Sequence, residues 1–110
     1  MNDRIEEILE AMLAAVKDEV GDDLDDIMND IIDDFELLAI VTVRIEAKVL
    51  AGVLTEVEAK SLMRMRRNAF ETELLKHRLK GKVLLERAIN AALNALKEAF
   101  QAATDIVLPL

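Results

Sequence analysis

The sequence predicts an all-α protein, a hairpin or bundle of three to four helices, and three observations support this fold class. Apolar residues recur at steps of three and four, the spacing that places side chains on one face of a helix. Helix-start and helix-stop signals separate the apolar stretches. The 110 residues include three Phe, no Trp or Tyr, three Gly and one Pro, a composition typical of helices packed through aliphatic side chains.

The first helix is predicted over residues 3–20. Asp3 can cap its start, with Glu6 three residues later, and Gly21 can end it. Its apolar residues share one helical face, which we expect to be buried. They are Ile5, Ile8, Leu9, Met12, Leu13, Val16 and Val20.

The second helix is predicted over residues 22–51, with Asp22 or Asp23 as its N-cap. Heptad steps connect Leu24, Met28, Ile31, Phe35, Leu38, Thr42, Ile45 and Val49. Residues 41–49 also alternate between apolar and polar, which is a strand pattern. The unbroken heptad phase favours a helix there. Residues 37–43 are apolar nearly all round, which indicates burial on several sides and favours an oligomer core.

A capping box marks the start of the next helix. Thr55 and Glu58 have the spacing in which each side chain bonds the other's backbone N–H, and Gly52 can end the preceding helix. Helices are therefore predicted over 56–80 and 82–103. Gly81 can separate them, but the heptad phase passes through it and favours one continuous helix of ~72 Å. A monomer of this size could not cover such a helix, so continuity implies a partner chain.

The apolar seam of this segment is predicted to be a coiled-coil-like contact between chains, because small side chains let another helix approach closely. The alternative is ordinary core packing in a monomer. The seam consists of Phe70, Leu74, His77, Gly81, Leu84, Ala88, Ala92, Ala95 and Ala99. Leu38, Ile45 and Val49 of the second helix are expected to join the same interface.

Charge is divided unevenly along a chain that we expect to be one domain. Residues 1–36 hold 14 acids and 2 bases, a helical arm that precedes an apolar and basic core over 37–103 and an apolar tail over 104–110. The arm is expected to lie against the basic segment 60–87, in the same chain or in a neighbour's. The tail is expected to be extended and docked on a neighbouring chain.

The acidic residues of the second helix are predicted to form a partner surface. These are Asp22, Asp23, Asp26, Asp30, Asp33 and Asp34. The plainer alternative is a solvated face, and a site for Mg²⁺ or Ca²⁺ is a further one. Glu7-x-x-Glu10 and Asp23-x-x-Asp26 resemble the carboxylate pairs of all-helical nucleotide pyrophosphohydrolases of the MazG type, although that family's second pair begins with Glu. This resemblance implies a Mg²⁺-dependent enzyme as an alternative function.

Several classes of site have no support in the composition. The chain has no Cys, one His and one Ser, so it offers neither a thiolate metal site nor a paired nucleophile and base. His77 is expected in the core or an interface. Residues 37–54 carry Arg44, Glu46 and Lys48, which argues against a membrane span. We expect no cofactor and no metal, in a protein of the cytosol or of a virion interior.

The function expected from these features is that of a non-enzymatic assembly or adaptor protein. It would be a homo-oligomer that presents its acidic surface to another protein, and small helical accessory proteins of phages are similar in general character. An alternative is a regulator linked to nucleic acid, through the basic segment or through an acidic arm that imitates a phosphate backbone. Direct binding of nucleic acid is disfavoured by the net charge of −8.

Overall fold

The computed structural model describes residues 3–75 and 82–109, and within its helices the side chains of residues 24, 26–31, 74, 75, 82 and 83 lie outside that description. The described chain is helical and contains no strand, so the predicted fold class is confirmed. Its elements are α1 (Asp3–Val20), one turn of 3-10 helix (Gly21–Asp23), α2 (Leu24–Leu50), α3 (Glu56–Leu75) and α4 (Lys82–Thr104). The strand-like residues 41–49 lie within α2, as the heptad phase predicts.

Three of the helices, α1, α2 and α4, enclose the main core. Arg4 lies beside Ala99 and Glu19 beside Arg87, so α1 and α4 run antiparallel. The contact between these two helices is the most extensive in the molecule. Their buried faces supply most of the fully covered side chains, among them Ile8, Met12, Val16, Ala88, Ala92, Leu96 and Phe100. The apolar face predicted for the first helix is therefore confirmed.

The joint between α1 and α2 differs from the prediction in one detail. Gly21 ends α1 with a φ of 59°, a left-handed conformation that favours glycine. Asp23, predicted as a possible side-chain cap, has helical backbone angles and makes no side-chain capping hydrogen bond. The 3-10 turn carries the chain directly into α2, so the backbone there never adopts the extended angles of a capping residue.

The joint between α2 and α3 follows the predicted signals closely. Gly52 has a φ of 74°, its N–H donates to Val49 O at 3.0 Å, and the Val53 N–H donates to Lys48 O at 2.8 Å. This is the Schellman arrangement that satisfies the last carbonyls of a helix. The Glu58 N–H then donates to the Thr55 hydroxyl at 3.2 Å, and the Thr55 N–H donates to the Glu58 carboxylate at 3.0 Å. The capping box is confirmed.

The continuous helix favoured over residues 56–103 is wrong. The molecule is 42 Å along its longest axis, far short of the ~72 Å that a straight 48-residue helix needs. Instead, α4 packs on α1 and α2, and α3 packs mainly on α2. The interpretation of Gly81 itself lies outside the described residues. A heptad phase fixes which face of each helix is apolar, but it leaves the path between two helices open.

The tail after α4 packs against its own chain, which corrects the expected docking on a neighbour. Asp105 has a φ of 61°, which turns the chain out of the helix, and the Thr104 hydroxyl accepts a hydrogen bond from the Ile106 N–H at 3.2 Å. Ile106 and Leu108 then enter the core, and Leu108 is completely buried. The alternating in–out positions of Ile106, Val107 and Leu108 are those of extended backbone.

Candidate interaction surfaces

A partly buried ion pair connects the three core helices at one end. The Arg4 guanidinium of α1 donates to both carboxylate oxygens of Glu46 of α2, at 2.8 and 2.9 Å, and to Ala99 O of α4 at 3.0 Å. Glu46 is 5% exposed. The hydrogen bond to Glu46 raises the pKa of Arg4 above its ordinary value. Because the Arg4 guanidinium bonds acceptors on two other helices, this junction is a structural clamp. Arg4 and Glu46 are 42 residues apart, so no local spacing in the sequence predicts their contact.

The residues predicted as an oligomer seam lie largely within the chain's own core. Buried there are Leu38, Ile45, Phe70, Ala88 and Ala92. Half-buried are Val49, Leu84, Ala95 and Ala99. The remaining members fall outside the description: the side chain of Leu74, His77 and Gly81. The alanines of the seam were predicted to let a helix of another chain approach closely. In this structure they let α4 approach helices of its own chain.

Between α2 and α3 lies an open groove with a volume of about 290 Å³. Each helix contributes residues at positions i, i+3, i+4 and i+7, which is the spacing of a single helical face. The lining consists of Asp34, Leu37, Leu38 and Val41 from α2, and Arg66, Ala69, Phe70 and Glu73 from α3. Leu38 and Phe70 are buried, and Phe35 packs on Phe70 with ring centroids 5.4 Å apart. The groove is thus apolar along its length and bordered by charge.

Large apolar side chains remain exposed on the α2–α3 hairpin, and the predicted interface did not include them. Leu37 is 60% exposed, Met65 63% and Val57 77%, while Leu50 and Val53 are exposed at the end of the hairpin. A signal for Leu37 was present in the sequence, because residues 37–43 are apolar nearly all round. Although α2 packs on α1, α3 and α4, these neighbours leave one face of the helix open, so apolar residues that face in every direction are not all covered.

The predicted acidic surface is partly described. Asp22, Asp23 and Asp33 are exposed and Asp34 is half-buried, while the side chains of Asp26 and Asp30 lie outside the description. Asp22 and Asp23 belong to the 3-10 turn, and Asp33 lies one-third of the way along α2. The acids therefore extend over the end of the α1–α2 joint and the first half of α2.

Some of the basic residues form ion pairs with acidic residues of the same chain. The Arg87 guanidinium donates to the Glu19 carboxylate at 2.8 Å, which brings the acidic arm against the basic segment, as expected for that pair. Lys60 and Arg67 pair instead with Glu56 and Glu71 of their own helix. Arg64 and Arg66 are exposed. Residues 76–80, which include Lys76, Arg78 and Lys80 of the basic segment 60–87, are outside the described chain.

Among the described residues, the carboxylates of Glu7, Glu10 and Asp23 form no metal site, and the side chain of Asp26 lies outside the description. Glu7 accepts from Arg4 at 2.6 Å, and Glu10 and Asp23 are exposed. No group of three or more His, Cys, Asp or Glu side chains suited to a metal ion is found among the residues that the structure describes. Within the same part of the chain, no helix combines the length and apolarity that crossing a membrane requires.

The fold and these surfaces define a small all-helical bundle with an incompletely covered hairpin. Comparison with protein-family models, with curated proteins and with solved structures finds no match for this chain. The functional argument therefore depends on the geometry and charge of the molecule itself.

Proposed function

We propose that this protein is a non-enzymatic assembly or adaptor protein that acts as a homo-oligomer and presents its acidic surface to a protein partner. The observation that carries the proposal is the uncovered apolar surface of the α2–α3 hairpin. Leu37, which is 60% exposed, lines a groove whose floor is formed by Leu38 and Phe70, and Met65 of α3 is 63% exposed. An apolar groove together with large exposed apolar side chains is characteristic of protein–protein contact.

The acidic residues support the second half of the proposal. Asp22 and Asp23 are exposed on the 3-10 turn that joins α1 to α2. Acids at the rim of a contact repel wrong partners and accelerate encounter with a basic one. A partner protein with a basic face is the ligand that this surface fits.

The oligomer is tested by the molar mass in solution, measured by light scattering on a sizing column over a concentration series at low and high salt. We expect a mass above the 12.3 kDa of one chain, retained in high salt because its contact is apolar at the centre. A mass of one chain at every concentration would contradict the proposed oligomer.

The acidic surface is tested separately with a fluorescent arginine-rich peptide as the probe. A variant with Asp22 and Asp23 changed to Asn should bind the probe several-fold more weakly. The matched control changes two exposed acids elsewhere, Glu86 and Glu98, to Gln and alters net charge equally. If both variants lose the same affinity, bulk charge explains the binding and the proposed surface is wrong.

A further inference from the structure

The outward face of α2 carries a stripe that the core does not use. Asp33, Leu37, Ile40 and Arg44 follow one another at steps of four, three and four residues, which places them on one face, and we call them the outer stripe. They lie opposite the buried residues of the same helix, such as Phe35 and Thr42. Asp33, Leu37 and Arg44 are exposed. Ile40 is half-buried and, among the described residues, is not one of the side chains that pack against the core.

We propose that the outer stripe is the contact between two copies of this chain, which pair with their α2 helices antiparallel. The inference rests on the proposed function and identifies the surface that the homo-oligomer uses. In this pairing, a two-fold axis crosses the outer stripe at its midpoint, between the levels of residues 38 and 39 along the helix. Leu37 then lies opposite Ile40 of the partner subunit, and Asp33 lies opposite Arg44 of the partner subunit. Each contact occurs twice, as an isologous interface requires.

The order of charges along the stripe favours a second copy as the occupant. Asp33 stands four residues before Leu37, and Arg44 stands four residues after Ile40, so acid and base are equidistant from the midpoint of the apolar pair. Reversing one helix therefore matches acid with base at both ends. A parallel pair would instead place Asp33 against Asp33 and Arg44 against Arg44, and like charges opposed across an interface are unfavourable.

Neither Asp33 nor Arg44 has an oppositely charged residue one turn away on its own helix. The residues three and four positions from Arg44 are Ile40, Val41, Ala47 and Lys48, none of them acidic. Those around Asp33 include no base. No ion pair of Asp33 or Arg44 is formed with the residues that the structure describes. Lys48, one turn beyond Arg44 and exposed, extends the basic end.

The first experiment measures the dimer dissociation constant of Leu37→Gln by sedimentation velocity. Each dimer loses two apolar contacts, so we expect dissociation to become easier by on the order of a hundredfold. Leu50→Gln is the matched control, because Leu50 is on the same helix and is 63% exposed, against 60% for Leu37, but it lies outside the stripe. We expect its dimer to be unchanged. Both side chains are exposed in one chain, so both variants should fold, which circular dichroism checks.

The second experiment exchanges the charges. Asp33→Arg and Arg44→Asp should each weaken the dimer by roughly tenfold or more, since each brings like charges together twice. Mixed in equal amounts, the two variants should form a heterodimer as tight as the wild type, because every acid then faces a base. A merely structural role of these residues would not produce recovery on mixing.

The outcomes separate the two proposals. A wild-type chain that stays monomeric at every concentration overturns both the homo-oligomer and this interface. A wild-type oligomer that Leu37→Gln leaves intact, or charge variants that do not recover on mixing, overturns the interface, and the proposed function then stands on another surface.

Discussion

The two sides of α2 are covered to very different degrees. On one side, α1, α4 and the tail close a core in which Ile8, Met12 and Phe100 are completely buried. On the other, α3 is the main neighbour, and Leu37 and Met65 remain mostly exposed. One face of α2 is thus covered by the chain itself, and another face remains exposed to solvent. We infer from this difference that the covered face stabilises the fold, whereas the exposed face is available for association with another molecule.

The largest expected effect concerns the clamp of the closed side. Arg4→Ala leaves the Glu46 carboxylate buried without its cation, and we expect a loss of about 3 kcal/mol in the free energy of unfolding. Urea denaturation measures it. The control is Arg87→Ala, whose pair with Glu19 has both side chains about half exposed and should change stability by less than about 1 kcal/mol.

The clamp predictions also have a compensating variant. Replacing both partners, Arg4→Met with Glu46→Leu, removes the buried charge together with its cation, and we expect most of the lost stability to return. If Arg4→Ala proves as mild as Arg87→Ala, the two ion pairs are equivalent, and the clamp does not distinguish the closed side.

The tail provides the next test of the closed side. Leu108 is completely buried whereas its neighbour Val107 is 52% exposed. Leu108→Ala should therefore cost about 2–3 kcal/mol in the free energy of unfolding, and Val107→Ala less than about 0.5 kcal/mol. Thermal and urea melts of the two variants decide this. Equal, small losses would mean that the tail does not belong to the core in solution.

Hydrogen exchange compares the two sides of α2 directly. Because α3 has one main neighbour, its amides should exchange through a local opening that costs at least about 1 kcal/mol less than global unfolding. Amides near the middle of α1 and α4 should exchange only on global unfolding. Mass spectrometry at concentrations below and above dimer formation sharpens the comparison. Protection that rises in the middle of α2, over residues 33–44, and stays constant in α1 would match the proposed interface.

Local signals in the sequence predicted most of the helix boundaries. The first helix was predicted over 3–20 and observed over Asp3–Val20. The Gly52 stop and the Thr55 start were found as hydrogen-bonded motifs. Such motifs are predictable because every group they need lies within six residues.

Long-range contacts were not predictable in the same way. Arg4 and Glu46 are 42 residues apart, and no spacing rule connects them. The heptad seam identified Phe70 and Ala88 as covered positions, and they are covered by their own chain. Periodicity reports that a face is apolar, but the neighbour that covers it depends on the whole arrangement of helices. The same limit explains the tail, since the turn at Asp105 uses a residue that carries no glycine signal.

The smallest effect depends on pH and concerns the capping box of α3. The hydrogen bond from the Thr55 N–H lowers the pKa of Glu58 below its ordinary value of 4.5. The folded-state pKa is then below that of the unfolded chain, so this carboxylate stabilises the fold above pH 4.5 and loses that contribution as pH falls through the folded-state value. Glutamine accepts the same hydrogen bond but does not titrate. The melting temperature of wild type should therefore exceed that of Glu58→Gln at pH 7, and the gap should close on acidification.

The Glu58 prediction can be isolated from other titrating groups by NMR titration of that carboxylate. Thr55→Ala removes the hydroxyl that accepts from the Glu58 N–H, which should cost about 1 kcal/mol at pH 7. It should also let the pKa of Glu58 rise toward 4.5, because the first turn that holds the carboxylate over the N–H of residue 55 is loosened. An unchanged pKa would show that the backbone N–H alone sets it. Either result concerns the first turn of α3, the open side of the molecule, where such local contacts have few others to support them.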